Sequence, residues 1–365
     1  MIIHGYADVV LGLQYGDEGK GKIAASIAKQ IDYDLVARYN GGPNAGHSVH
    51  LDEFRHLKLH QIPSGIAFKR NCYIGPGCLI DFTQLENEAC HVYETMGIDT
   101  YEFLKISPQA IVIESNHIQK DKEHHAVTQG STSKGIAPAY SNFYNRTATL
   151  ARDFSWPNSM GVDCISNIQS TETILLEGAQ GWYLNPYQGA YPYTTSSSCH
   201  PGYAASSFGF PLKSIRNVIG VAKCYETRSG TDPNFAKVLN EHNSFTTVED
   251  HPEIYKTIQK VGSEYGVTTG RKRTIRFLDL NRLINAINGS GTNMLVLQKW
   301  DILQEAQSFD LEPFKFYYNA NLIEHDSLNT MYKDVATIIK GNCPGLNTIL
   351  YSAELSCSID WKEYL

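Results

Sequence analysis

The sequence predicts an α/β fold: a large, mostly parallel central sheet flanked by helices, with a P-loop-like phosphate loop after the first strand. Three observations carry this. Asp8 to Ile23, DVVLGLQYGDEGKGKI, runs from an apolar strand through a glycine-crowded turn into the helical pattern IAASIAKQI. Strand-like and helical patterns then alternate along the chain, as a parallel sheet with crossover helices requires. No Pro/Gly/Ser-rich linker divides the 365 residues. By length alone they could hold two or three domains, but residues 1–365 are expected to form a single domain with insertions.

Apolar residues make up 42% of the chain and charged residues 19%, the balance of a soluble globular protein with a large core. No apolar run reaches about 18 residues, and the start MIIHGYADVV has neither the charged region nor the cleavage site of a signal peptide. The expectation is a cytoplasmic protein with no membrane partner. Eight scattered cysteines show no C-x-x-C pair and no zinc spacing, so they read as reduced packing residues. A net charge of −7 argues against nucleic acid as a partner.

The first strand delivers the loop on which the site is expected to form. Gly16, Gly21 and Lys22 fit G-x-x-x-x-G-K, in which backbone N–H groups and a helix N-terminus face phosphate oxygens. The Ser or Thr that should follow the lysine to hold Mg²⁺ is Ile23. Asp17 and Glu18 instead place carboxylates in the anion cradle, which a metal or a proton-transfer task would justify. A plain NTPase loop is therefore disfavoured.

Asp34 to Arg38 reads as a second buried strand, bringing the loop Tyr39 to His50, YNGGPNAGHSVH, to the same sheet edge. His47 is its titratable group. A lone loop histidine is usually a polar surface residue, but one opposite a phosphate loop is a reasonable general acid. Residues 57–61 and 72–75 read as strands, and a helix capped by Asp81 follows. Residues 103–114 contain two short strand candidates, and 118–125 show no clear period. Gln129 to Tyr140, QGSTSKGIAPAY, is a glycine- and hydroxyl-rich loop suited to a monophosphate, or else a flexible linker.

Thr173 to Leu176 is a β-rich run leading to GAQG. The Gln180 amide suits the edge of a purine, and equally a turn cap. Val218 to Tyr225 is a further central strand, followed by the loop TRSGTDP, and residues 241–262 carry no defensible chemistry. GVTTGRKRTIR packs Arg271, Lys272, Arg273 and Arg276 behind a turn, a density that points to an anion clamp rather than a solvated face. Asn293 to Gln298 is a strand ending in QKWD, and Thr348 to Tyr351 is a last strand before SAELSCSID.

GDEGKGK together with NAGHS resembles the adenylosuccinate synthetases, which join aspartate to C6 of a purine nucleotide using a nucleoside triphosphate. The matching motifs extend from about residue 8 to residue 301. The resemblance implies Asp17 as the base for purine N1, His47 as the acid, and Lys20 and Gln180 beside them. It implies Asp17 and the Gly46 carbonyl as ligands of a Mg²⁺ cofactor. Nucleotide contacts would come from Gly16, Glu18, Gly19, Gly21, Lys22, Asn44, Ser131, Thr132 and Thr195, and from Arg146 reaching into the partner's site of a homodimer. Lys299 and Asp301 would read the donor base. Thr268, Thr269, Arg271 and Arg273 would bind L-aspartate.

Several positions depart from that pattern. Ser133 and Lys134 replace Gly and Arg, and SAELSCSID lacks the Gly-Pro and arginine of the donor-base loop. ATP or dATP is therefore expected to serve as donor as well as GTP, although Asp301 suits guanine. The departures lean towards dGMP as acceptor, as in viral members that make 2-amino-2′-deoxyadenylosuccinate, with IMP close behind; a viral chain would act in the host cytoplasm. The rival of another class is a non-catalytic nucleotide-binding switch.

Overall fold

The computed structural model describes residues 2–52, 54–155, 164–168, 170–235, 238–239, 245–246, 252–266, 270–353 and 357–365. Its frame is one sheet of eight strands. These are β1 (Ile2–Gly12), β2 (Leu35–Arg38), β3 (Cys72–Ile74), β4 (Leu104–Ile106), β5 (Ser170–Glu177), β6 (Ile215–Lys223), β7 (Met294–Gln298) and β8 (Thr348–Ser352). They lie in the order β8-β7-β6-β1-β5-β2-β3-β4. Every neighbouring pair is parallel, so the sheet goes beyond the mostly parallel one expected.

Helices and loops cover both faces of such a sheet, so its strands read as continuous apolar runs rather than alternating ones. Val9, Val10, Leu175, Leu176, Val221, Leu295 and Val296 are all fully buried. In register, Val9 lies between Val218 of β6 and Leu176 of β5. From β1 the chain winds outward to β2, β3 and β4, returns to insert β5, and then builds β6 to β8 on the other side. β1 is therefore the switch point, and the crevice beyond its carboxyl end is where such sheets bind ligands.

The first helix, Lys20–Gln30, buries Ile23, Ala24, Ile27 and Ala28. Its N-cap, Gly19, is left-handed and supplies no side-chain cap, which leaves the first N–H groups open to an anion. Asp81 caps Phe82–Met96 as expected, accepting from Gln84 N at 3.0 Å. A second sheet, Tyr225–Arg228, Thr274–Asp279, Lys315–Tyr318 and Asn321–Glu324, begins just after β6.

Two local readings change. The loop after β2 ends in a hairpin, in which His47–His50 pairs antiparallel with His56–Leu59. The aperiodic residues 118–125 are helical: Ser115–Lys120 passes through a π-turn, Asp121–His125, into Ala126–Gln129. A π-turn disturbs the 3.6-residue period, which hides such a helix from pattern reading. Among the described residues no helix is long and apolar enough to cross a membrane.

Candidate active site

The phosphate loop is shaped from within by Glu18. Its buried carboxylate accepts from Gln14 N (3.1 Å), Gly16 N (2.9 Å) and Lys20 Nζ (2.6 Å). Glu18 thus turns into the loop it belongs to, and away from the phosphate it was expected to meet. Across the loop, Gln298 at the end of β7 donates from Nε2 to Glu18 O at 2.6 Å. A Cβ on Gly19 would lie 2.7 Å from that same amide nitrogen. These ties hold Asp17 at φ 62°, a left-handed conformation that costs a non-glycine residue on the order of 1 kcal/mol. The Asp17 carboxylate faces the cavity there, its Oδ2 receiving Ser229 Oγ at 3.2 Å and lying 2.8 Å from Arg273 Nε.

A cavity of about 210 Å³ opens at the carboxyl ends of the central strands. It gathers residues far apart in sequence: Gly16, Asp17, Gly19 and Lys20; Asn44, Gly46 and His47; Ser131 and Thr132; Gln180; Thr195; and Arg228. The hydroxyl-rich loop is braced from the π-turn, where Asp121 accepts from Ser131 Oγ at 2.6 Å and Gly135 N at 2.8 Å. Behind it the helix Ile136–Tyr144 starts without a side-chain cap, and Ile136 and Ala137 line the cavity, so its N-terminus is open to phosphate. Lys134 points elsewhere, to Gln84 Oε1 at 3.0 Å.

His47 is buried, and its Nδ1 pairs with Glu177 Oε1. Glu177 closes β5 and is fixed in turn by Ser64 N (2.7 Å) and Ser64 Oγ (2.6 Å). A carboxylate on Nδ1 sets the ring's tautomer and orientation and leaves Nε2 for chemistry. Gly21 permits this approach: a Cβ there would sit 2.5 Å from His47 Cβ. Burial, with the Arg38 guanidinium nearby, pushes the imidazole pKa down to about 4, against the pull of Glu177. His47 is therefore neutral at physiological pH. The Gln180 amide is buried in the cavity wall with neither Nε2 nor Oε1 hydrogen-bonded, and Asn44 Oδ1 is likewise unbonded. Buried polar atoms without partners cost about 1 to 3 kcal/mol each, so such groups await a ligand.

Not every expected residue joins this cavity. Gly21 and Lys22 are outside its lining, and Lys22 Nζ instead donates to Ser352 Oγ (3.0 Å) and Ala353 O (3.1 Å). Lys299 and Asp301 stand beyond β7 at the start of helix Trp300–Gln307, with Asp301 Oδ1 buried and unbonded. Arg146 is exposed at φ 63°, just past the helix Ile136–Tyr144. Thr268 and Thr269 lie outside the described residues, as do 354–356 of the last loop.

The basic run does not form one clamp. Arg276, on a strand of the second sheet, is buried against Glu226 and donates to Phe235 O at 2.7 Å. Arg273 lies between Asp17 and Glu264, and Arg271 Nη1 reaches Gly130 O at 2.9 Å. Alternating side chains along an extended chain leave on opposite faces, which is why adjacent charges separate.

Four residues were not singled out from sequence. Glu177 was visible only as the start of EGAQG, and Asp121 sat in the aperiodic stretch. Arg228, within TRSGTDP, lines the cavity with its buried Nε lacking a hydrogen-bond partner, while Nη1 lies 3.5 Å from Asp232 Oδ2. Glu264 has no motif of its own.

Comparison with known proteins gives the chain relatives over most of its length. The model of the family described as adenylosuccinate synthetase matches residues 9–165 and 159–338. An adenylosuccinate synthetase of Cytophaga hutchinsonii is 32% identical over 91% of this chain and 86% of its own length. That of Brevibacillus brevis is 34% identical over 87% of this chain and 82% of its own. Among solved structures, a fully ligated adenylosuccinate synthetase from Plasmodium falciparum superposes with a TM-score of 0.73 at 22% identity, covering 96% of this chain and 97% of its own. The cyanophage S-2L succinoaminodeoxyadenylate synthetase bound to dGMP and dATP has a TM-score of 0.65 at 19% identity, covering 92% and 99%. At those identities the two structures speak for the fold.

Proposed function

We infer that this chain, which belongs to the adenylosuccinate synthetase family and is therefore a carbon–nitrogen ligase, joins L-aspartate to C6 of a 6-oxopurine nucleoside monophosphate. The observation that carries this is one cavity holding Asp17, a neutral His47 oriented by Glu177, and the unbonded amide of Gln180 between two phosphate loops. Family membership leaves the non-catalytic switch without support.

A purine C6 carbonyl is a poor electrophile whose oxygen must depart. Asp17 takes the N1 proton, O6 attacks the γ-phosphorus of the donor, and the nucleoside diphosphate leaves. The aspartate amine then adds at C6, inorganic phosphate departs with O6, and the amine loses its proton. Gln180 reads the purine edge, and His47 Nε2, left with its lone pair because Glu177 holds the Nδ1–H, accepts the proton that the aspartate amine loses, as a base rather than the expected acid. Lys20 supplies positive charge near the phosphates. Ser131, Thr132 and the following helix N-terminus hold the monophosphate. Mg²⁺ suits the oxygen donors here, because Asp17 and Gly46 line one cavity; the Asp17 carboxylate and the Gly46 carbonyl would hold it, with phosphate and water as the other ligands this ion prefers. When bound it would supply Lewis-acid charge at the transferring phosphoryl group.

We place IMP first as acceptor, since a carboxylate at the position of Asp17 is what the IMP-using members of the family carry, while several viral relatives replace it, and the similar chains of C. hutchinsonii and B. brevis are adenylosuccinate synthetases. Lys134, turned to Gln84, weakens the argument from the monophosphate loop for a specialised acceptor. dGMP is the second reading: the Asp17 carboxylate can also accept from a 2-amino group, and the departures in the donor-base and monophosphate loops are those of a specialised relative. For the donor, the unbonded Asp301 Oδ1 suits guanine, while the missing Gly-Pro and arginine admit ATP and dATP. The test is turnover of IMP and of dGMP with aspartate, Mg²⁺ and each of GTP, ATP and dATP, followed by product mass. Adenylosuccinate from IMP with more than one donor is expected. Product from dGMP alone would reverse the order of acceptors, and strict GTP dependence would contradict the donor reading.

The working form is a homodimer in the cytoplasm. Among the described residues Arg146 has no hydrogen-bond or ion-pair partner for its guanidinium, and exposed Phe143 and Tyr144 stand beside it. Arg146→Ala is expected to raise the monophosphate KM at least about tenfold, the worth of one charge-assisted hydrogen bond. A fully active monomer in sedimentation would contradict this.

A further inference from the structure

We propose that Glu264, which stands outside the cavity lining, is a positioning residue for the ligase reaction, acting through Arg273 on Asp17 and on the substrate's carboxylate. The proposal rests on the ligase reading above. Glu264 is fully buried just after the helix Pro252–Val261, and both of its oxygens are engaged. Oε1 accepts from Tyr225 OH at 2.6 Å and Lys223 Nζ at 3.1 Å, and Oε2 accepts from Lys223 Nζ at 3.0 Å and from Arg273 Nη1. Lys223, buried at the end of β6, gives a further hydrogen bond to Thr227 Oγ1 at 2.6 Å. Arg273 then lies with Nε 2.8 Å from Asp17 Oδ2.

The result is a chain of alternating charge, Lys223, Glu264, Arg273, Asp17, of which only Asp17 lines the cavity. Backbone bonds fix its geometry: Arg273 N donates to Glu264 O at 3.1 Å and Gly266 N to Arg271 O at 2.8 Å. Glu264 and Arg273 are thus paired through the backbone as well as through their side chains. Burial opposes ionisation of Glu264, but Lys223 and Arg273 outweigh it and hold the carboxyl down at about 2. A permanent anion behind Arg273 divides the guanidinium between two carboxylates. Without that anion the planar fork is free to close bidentately on Asp17, which would occupy the base and remove a cation from the substrate aspartate.

Glu264→Gln alone would leave Lys223 buried without its counter-charge, a change that destabilises strongly. The decisive variant is therefore Lys223→Met/Glu264→Gln, since replacing a whole buried ion pair at similar volume is often neutral for folding. The expected result is a folded protein whose KM for L-aspartate is raised at least about tenfold, a loss of one charge-assisted contact. Its kcat falls, while the KM values for the purine monophosphate and the triphosphate stay within about twofold of the parent. A folded double variant with the parent's aspartate KM and kcat would overturn the proposal. So would parallel rises in all three KM values, the signature of general loosening. Absence of aspartate-dependent phosphate release from the unaltered protein would overturn the ligase reading instead.

Discussion

Asp17→Asn is expected to lower turnover by about 10³-fold or more while the protein still folds, because the amide fills the same space and cannot accept the N1 proton. General-base catalysis contributes about 10² to 10⁴-fold, and here the loss adds to a disturbed charge balance with Arg273, whose Nε is 2.8 Å from the carboxylate. Folding should survive, since asparagine tolerates the left-handed conformation that Asp17 adopts at φ 62°. Ser229 Oγ, which donates to Oδ2 at 3.2 Å, can still donate to the amide oxygen. Steady-state kinetics beside a melting curve checks this. A variant retaining a tenth of the parent's turnover would remove Asp17 from the role of base.

His47→Gln is expected to cost about 10² to 10⁴-fold in kcat, with smaller changes in substrate KM. The same residue makes a prediction about pH. Its pKa is depressed to about 4 by burial and by Arg38, against an ordinary value of 6.5, so the neutral imidazole persists as pH falls from 7 to 5. The acid limb that His47 contributes to the free enzyme's kcat/KM should accordingly lie near pH 4, and that limb should be missing in His47→Gln. Stability follows with a definite sign. Between pH 6.5 and 4 the unfolded chain binds a proton on this histidine that the folded chain refuses, so the contribution of His47 to stability falls as pH falls through that window. An acid limb centred at 6.5 that vanishes with His47 would contradict the buried, neutral assignment.

The sequence shows the architecture where the signal is local. β1, the glycine loop and the first helix are contiguous, and buried parallel strands announce themselves as apolar runs, so the sheet could be expected from pattern alone, whereas the strand order that makes β1 the switch point could not. The residues gathered at the cavity are also partly legible, because Asp17, His47, Gln180 and Ser131 sit in or beside glycine-rich loops. What holds them is not. Glu177 orients His47, and Glu264 backs Arg273, across sequence gaps that only the tertiary fold closes. Glu18 illustrates the reverse: its position in the cradle suggested a ligand contact, while its burial under Lys20 and the loop's own N–H groups turns it into the internal brace of that cradle. The run from Arg271 to Arg276 misled for a related reason. Density of charge in sequence says nothing about which face each side chain leaves from, and Arg276 leaves towards Glu226 in the core.

The central claim is that the cavity around Asp17 couples phosphoryl transfer to carbon–nitrogen bond formation. Its most direct test is the stoichiometry of one reaction: purified protein with Mg²⁺, a nucleoside triphosphate, L-aspartate and a purine monophosphate, with inorganic phosphate and succino-nucleotide measured together. The account predicts one phosphate released for each succino-nucleotide formed, and net phosphate release that stops when either aspartate or the monophosphate is withheld. Steady phosphate release that continues without aspartate and without a purine monophosphate would contradict it.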